Sequence, residues 1–294
     1  MVELRKLMFL MFRKLLSFFQ GKGLGKLPLV KIYDFLYRHF KLSGIVLVNV
    51  QGSKMYIDSR DTTVGTSLLK WGFFEKYETK LFKKSIKRGM VVLDIGANIG
   101  YYTLLAARLV GDEGKVFAFE PDPYNYSLLR NNIEANRYNN VIPVQKAISN
   151  KSGKIKLFLD KSNLGAHSLS QANVPDRGAS ITVEVISLDE FFKNTDCKID
   201  VIKMDVQGSE MEVLQGMTNI MNKNDNLKII AEFWPVGIQN YGSSPTEFLN
   251  KLIEHGFTLY QIGQRIELID VNHVLRMCGG EKWWYTNLLC KKLP

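Results

Sequence analysis

The sequence predicts an α/β fold: a mostly parallel sheet of Rossmann-like type with helices on both faces. From Val91 onward, short apolar runs alternate with helical segments. Alternating βαβ units build such a sheet, whose covered strands read as nearly continuous hydrophobic stretches. The first run, Val91–Ile95, passes through a glycine-rich turn, Gly96-Ala97-Asn98-Ile99-Gly100, straight into a helical pattern. The next run ends in an acid, Glu120.

Taken in order, residues 1–44 form a basic amphipathic appendage. On a helical wheel over Met1–Gln20, Lys6, Arg13 and Lys14 share an arc opposite Leu4, Leu7, Met8, Met11, Leu15 and Phe18. Gly21–Gly25 breaks this helix and a second amphipathic piece, Leu29–Phe40, follows. Residues 1–41 carry nine Lys and Arg against Glu3 and Asp34, so +7 of the net +10 lies there. Two readings stay open: a helix lying in an anionic membrane interface, or one docked on protein. Residues 45–89 read as a hairpin turned at Gln51-Gly52-Ser53 and a helical lead-in, Tyr77–Ile86. Residues 90–294 form the main domain. Its expected strands are Val91–Ile95, Lys115–Glu120, Val141–Ala147, Asp200–Asp205 and Leu227–Phe233. Helices are expected at Tyr101–Leu109, Tyr124–Asn136, Ser209–Met217 and Thr246–His255. Ile155–Leu159 and Ile181–Ser187 read as an inserted strand pair around a polar loop. Thr258–Gly263 and Tyr285–Lys291 read as late strands, one of them a candidate for antiparallel pairing.

Composition narrows the function. With 294 residues, 46% of them hydrophobic and 23% charged, the chain is of ordinary globular make-up. The body outside the appendage is nearly charge-balanced, which argues against a nucleic-acid partner. Three scattered cysteines suggest reduced thiols, and no apolar run is long enough to span a bilayer. The expected location is therefore cytoplasmic, peripheral on the inner face of a membrane that residues 1–40 would touch.

The glycine turn and Glu120 together point to a nucleoside ligand. Glycine lets a ligand approach the backbone, a helix N-terminus offers free N–H groups, and an acid at the next strand end grips a ribose diol. Asp94 before the turn would repel a pyrophosphate but suits a cationic amino-acid end, favouring S-adenosylmethionine over NAD. Asp205 ends the fourth core strand, at the carboxyl edge where such sheets bind ligands. It reads as the group that orients an acceptor hydroxyl or takes its proton, or else as a helix cap. Glu210, Glu232 and His167 are further catalytic candidates, the histidine for its near-neutral pKa. Their spacing demands no metal.

Four stretches resemble the FkbM-type S-adenosylmethionine-dependent methyltransferases: Asp94–Gly100, Phe119-Glu120-Pro121, Ala147-Ile148-Ser149 and Ile202–Glu210. Tyr77-Glu78 and Ile229–Phe233 fit as well. The resemblance covers roughly residues 70–262. It implies a seven-stranded class I methyltransferase fold and O-methylation of sugar or polyketide hydroxyls. By this likeness Glu78, Asp94, Gly96, Asn98, Gly100, Glu120, Ala147 and Asp205 would bind the cofactor. The chain departs at Gln207, where the family commonly has Glu, and at Gln145-Lys146, near where an acid often reads the adenine amine. The expected activity is O-methylation of a sugar, glycan or glycolipid at the membrane surface. The alternatives are another small molecule or a carboxylate, RNA, or a nucleoside-binding module without catalysis. Oligomeric state is left open.

Overall fold

The structure is a computed structural model and describes residues 43–174, 176–277 and 284–292. The N-terminal helices expected at 1–20 and 29–40 lie outside the described residues. The chain divides into two units after Phe74.

The described part of the first unit is a hairpin and a helix. Strands β1 (Ile45–Val50) and β2 (Ser53–Asp58) pair antiparallel. Gln51 and Gly52 both take positive φ, 51° and 91°, the combination a two-residue hairpin loop needs. Val46, Val48 and Val50 alternate inward along β1. Helix α1 (Val64–Trp71) starts where the Asp61 carboxylate accepts from Thr63 N and Gly65 N, at 3.0 and 2.6 Å.

The second unit begins with α2 (Lys76–Ser85), so this helix belongs with the sheet. There follow β3 (Val91–Ile95), α3 (Tyr101–Val110), β4 (Lys115–Phe119), α4 (Pro123–Asn136) and β5 (Val141–Val144). An inserted region supplies β6 (Ala147–Ile148), β7 (Gly153–Asp160) and β8 (Arg177–Ile186). Next come α5 (Leu188–Phe191), β9 (Val201–Met204), α6 (Glu210–Gln215), α7 (Thr218–Lys223) and β10 (Lys228–Phe233). The remaining elements are α8 (Pro235–Tyr241), α9 (Pro245–Glu254), β11 (Phe257–Ile262), β12 (Ile266–Leu268), α10 (Val271–Met277) and β13 (Thr286–Lys292).

The central sheet runs β12-β11-β13-β10-β9-β3-β4-β5. Strands β5, β4, β3, β9 and β10 are parallel, and β13 lies antiparallel to both β10 and β11. Seven of its strands are the seven the sequence implies. The eighth, β12, is a three-residue edge strand with every residue exposed. The insertion forms its own sheet, β6-β8-β7. Val141–Ala147, expected as one strand, is broken: Gln145-Lys146 steps out of the central sheet and Ala147 pairs with Val185.

The core shows why these runs became interior strands. Leu93, Ile202, Met204, Ile229 and Ala231 are fully buried in one apolar cluster, and burial of each large side chain stabilises by about 1.5–3 kcal/mol. Helix starts are set by local chemistry. Asp122 caps α4 through Asn125 N at 2.8 Å and Ser244 caps α9 through Glu247 N at 3.3 Å, each followed by proline. Among the described residues no helix is long and apolar enough to cross a membrane.

Candidate active site

The carboxyl ends of β3, β4 and β9 meet around the glycine turn. Gly96 N and Ala97 N donate to Phe119 O at 3.0 and 2.9 Å, and Asp205 N donates to Ile95 O at 3.0 Å. Gly96 has φ 80°, and a Cβ there would lie 1.9 Å from the carbonyl oxygen of Asp205. Only glycine permits this approach of two strand ends. Asn98, also left-handed at φ 51°, presents its backbone N–H to Glu120 Oε2 at 2.7 Å. Glu120 Oε1 accepts from Asp122 N at 2.9 Å. Each carboxylate oxygen has spent one acceptor site on the backbone and can accept again. Burial, and after it the charges of Asp122 and Asp94, push the Glu120 carboxyl up to about 8 against its backbone hydrogen bonds.

Gly96, Asn98, Glu120, Ala147, His167 and Asp205 line one cleft of about 550 Å³, part of it open solvent. The other expected residues lie elsewhere. Asp94 is buried behind the turn, where its Oδ2 accepts from the Thr103 hydroxyl of α3, and burial raises it to about 6. Gly100 is the residue before α3, and Glu78 is buried on α2. Neither lines the cleft. Glu210 turns its Oε1 onto Val206 N and Gly208 N at 3.3 and 3.1 Å, fastening its own turn. Buried there, it is raised to about 7. That geometry makes Glu210, expected as a catalytic candidate, a turn staple.

His167 faces the cleft, but its Nδ1 accepts from Asp160 N at 3.1 Å. The neutral ring then carries its proton on Nε2, leaving no nitrogen lone pair for a substrate proton. His167 is a donor here, and its expected role as base has no geometric support.

Around Asp205 the structure assembles a network that the sequence did not disclose. Gln207, at φ 53°, donates its amide to Asp205 Oδ1 at 2.8 Å and to Glu232 Oε2 at 2.9 Å. A glutamate at 207 would set a third acid between Asp205 and Glu232, whereas the amide gives a hydrogen to each. Lys203, 1% exposed, lies 3.5 Å from Asp205 Oδ2 and 5.0 Å from the Tyr102 ring centroid. Burial would lower its pKa, but Asp205, Glu75 and Glu232 hold it above the ordinary lysine value. Glu232 is pushed well above the carboxylate range by burial and by Asp205, Glu210 and Glu75. The missed signal was Lys203 itself, a charge inside the wholly buried strand Val-Ile-Lys-Met. Glu75, which accepts from Tyr102 OH at 2.9 Å and from Asn287 Nδ2 at 3.0 Å, carried no local signal.

Residues 94–259, more than half of the chain, match the methyltransferase FkbM domain. The chain belongs to the FkbM methyltransferase family. Hexuronic acid methyltransferase AglP of Haloferax volcanii is 32% identical over 143 residues, 48% of this chain and 56% of AglP. The 31-O-demethyl-FK506 methyltransferase FkbM of Streptomyces tacrolimicus is 28% identical over 202 residues, 59% of this chain and 75% of that protein. The match to AglP thus spans little more than half of that relative.

The cleft residues of this FkbM-family chain fit S-adenosylmethionine, the cofactor its sequence points to. Glu120 keeps acceptor capacity for a ribose diol, and the buried Asn125 Oδ1 meets no donor although its Nδ2 binds Leu164 O at 2.8 Å. When bound, the cofactor supplies an electrophilic sulfonium methyl. Above about pH 8, where its carboxyl is ionised, Glu120→Ala removes a charged acceptor and is expected to weaken S-adenosylhomocysteine binding by roughly 1.5–3 kcal/mol. Calorimetry showing unchanged affinity in a folded variant would reject the assignment.

The raised carboxyls also set a pH dependence. Asp94, Glu210 and Glu120 hold protons in the folded state up to about 6, 7 and 8, from ordinary values of 3.8, 4.5 and 4.5. In that window the folded chain binds more protons than the unfolded one, so stability falls as pH rises. The expected result is a melting temperature that drops between about pH 5 and 8 without cofactor, with a shallower slope in Glu120→Gln. A melting temperature that rises across this range would contradict it.

Proposed function

We propose that this methyltransferase O-methylates a hydroxyl of a sugar, glycan or glycolipid at the cytoplasmic face of a membrane. The observation that carries the chemistry is the position of Asp205, which lines the cofactor cleft while Gln207 ties it to Glu232. A hydroxyl is a poor nucleophile until its proton is drawn off, and a positioned base contributes about 10²–10⁴-fold. Asp205 accepts that proton, with Gln207 and Lys203 fixing its carboxylate and Glu232 behind it. The relatives named for a hexuronic acid and for a 31-O position support a sugar and an oxygen acceptor. Mass spectrometry of envelope glycans and lipids from strains with and without the gene tests the reading. One glycan or glycolipid species lighter by a methyl in the deletion strain is the expected result.

The membrane part rests on the apolar and basic arcs of residues 1–20. Each basic residue near an anionic leaflet contributes on the order of 1 kcal/mol. A chain lacking residues 1–24 is expected to fold and to methylate a soluble acceptor, yet to stop sedimenting with anionic vesicles. Indifference of the full chain to such vesicles at low salt would leave a helix that packs on protein.

A further inference from the structure

Glu75 and Asn287 lie outside the matched domain, one before it and one after. Glu75 precedes α2 in a left-handed conformation, φ 44° and ψ 79°, and its side chain makes no capping bond to that helix. Such a backbone is strained for a residue other than glycine and glutamate is not a favoured N-cap, so α2 does not explain the residue. Its carboxylate is turned instead onto Tyr102 and Asn287. Asn287 is 4% exposed; its Nδ2 is given to Glu75 Oε1 while its Oδ1 meets no donor. A buried amide oxygen without a donor is costly unless something supplies one.

Most of the ionisable groups around this pair are acids. Glu75, Glu78, Asp205 and Glu232 all act on Tyr285, a half-exposed ring that borders the group. The cation among them, Lys203, is buried and engaged by Asp205 and the Tyr102 ring. The unmet group here is an acceptor, Asn287 Oδ1, and an incoming carboxylate brings it no hydrogen and sets one more acid beside Asp205.

Building on the proposed sugar methylation, we infer that Glu75 and Asn287 form an acceptor subsite beside Asp205 that takes hydroxyl donors of an uncharged polyol and turns away uronic acids. One hydroxyl supplies the donor that Asn287 Oδ1 lacks, a second donates to Glu75, and the reacting hydroxyl is left to Asp205. A relative acts on a hexuronic acid, so this chain would differ from it in the charge of its acceptor.

The test uses the full chain loaded with S-adenosylhomocysteine and matched methyl glycosides and methyl glycuronides of the gluco, galacto and manno series. Binding is read by saturation-transfer NMR, and methyl transfer is followed with labelled S-adenosylmethionine. At least one neutral glycoside is expected to bind and react roughly tenfold or more better than its uronide. Asn287→Ala and the isosteric Glu75→Gln are expected to weaken that binding by roughly 5–30-fold, with affinity for S-adenosylhomocysteine unchanged. Glu75→Gln carries the test if Asn287→Ala does not fold. Preference for a uronide, or neutral-glycoside binding untouched in both variants, overturns the subsite and leaves sugar methylation standing. If no sugar of either charge binds or reacts, the sugar reading and the subsite both fall.

Discussion

Asp205→Asn is expected to lower turnover by about 10²-fold or more while leaving cofactor affinity within a few-fold of the parent. The asparagine keeps the shape of the side chain and a partner for Gln207, but it accepts no proton. The drop should appear in kcat, because the lost interaction belongs to the moment the hydroxyl gives up its hydrogen. Measured beside it, His167→Ala should change kcat little, since its Nδ1 is already occupied by Asp160 N. Near-normal turnover in Asp205→Asn with the true acceptor would reduce Asp205 to a strand-end residue. A collapse in His167→Ala alone would move the base to the inserted loop.

Gly96→Ala is expected to cost about 2–4 kcal/mol of stability, combining a left-handed alanine with a forced separation of two strand ends. The new methyl would sit 1.9 Å from the Asp205 carbonyl oxygen, so the backbone itself must move. That carbonyl belongs to the proposed base, and a shift of an ångström there should depress kcat/KM along with stability. Urea unfolding and steady-state kinetics on the same variant check both. A variant as stable and as active as the parent would mean that the close approach is not required.

The fold was legible where both sides of an element are covered. Val91–Ile95 was read to the residue, because a buried parallel strand is a plain apolar run bounded by polar or glycine positions. The strand expected at Val141–Ala147 failed at Gln145-Lys146, where a change of sheet leaves no mark in hydrophobicity. α8 is not among the expected helices: it is seven residues long and holds a proline and a glycine, both poor helix formers, though proline suits a first turn. At the site, the glycine turn, Glu120 and Asp205 were legible because a local motif carries them. Glu75 and Asn287 reach Lys203 and Asp205 from two distant segments, and such convergence is a property of the folded chain. Asp94 and Glu210 show the reverse: acids inside a motif whose carboxylates the fold spends on a threonine hydroxyl and on backbone amides.

The antiparallel strand β13 occupies an interior place, between β10 and β11, both of which precede it in the chain. During synthesis the edge of β10, with Ile229, Ile230, Ala231 and Phe233, therefore emerges with no neighbour on that side. β11 and β12 have nothing in the sheet to dock on until residues 286–292 leave the ribosome. The nascent chain so carries a sticky, half-finished sheet through the translation of more than fifty residues. Its vulnerable period is set by the ribosome's pace, and a chaperone that covers an open strand edge would serve it best in that interval.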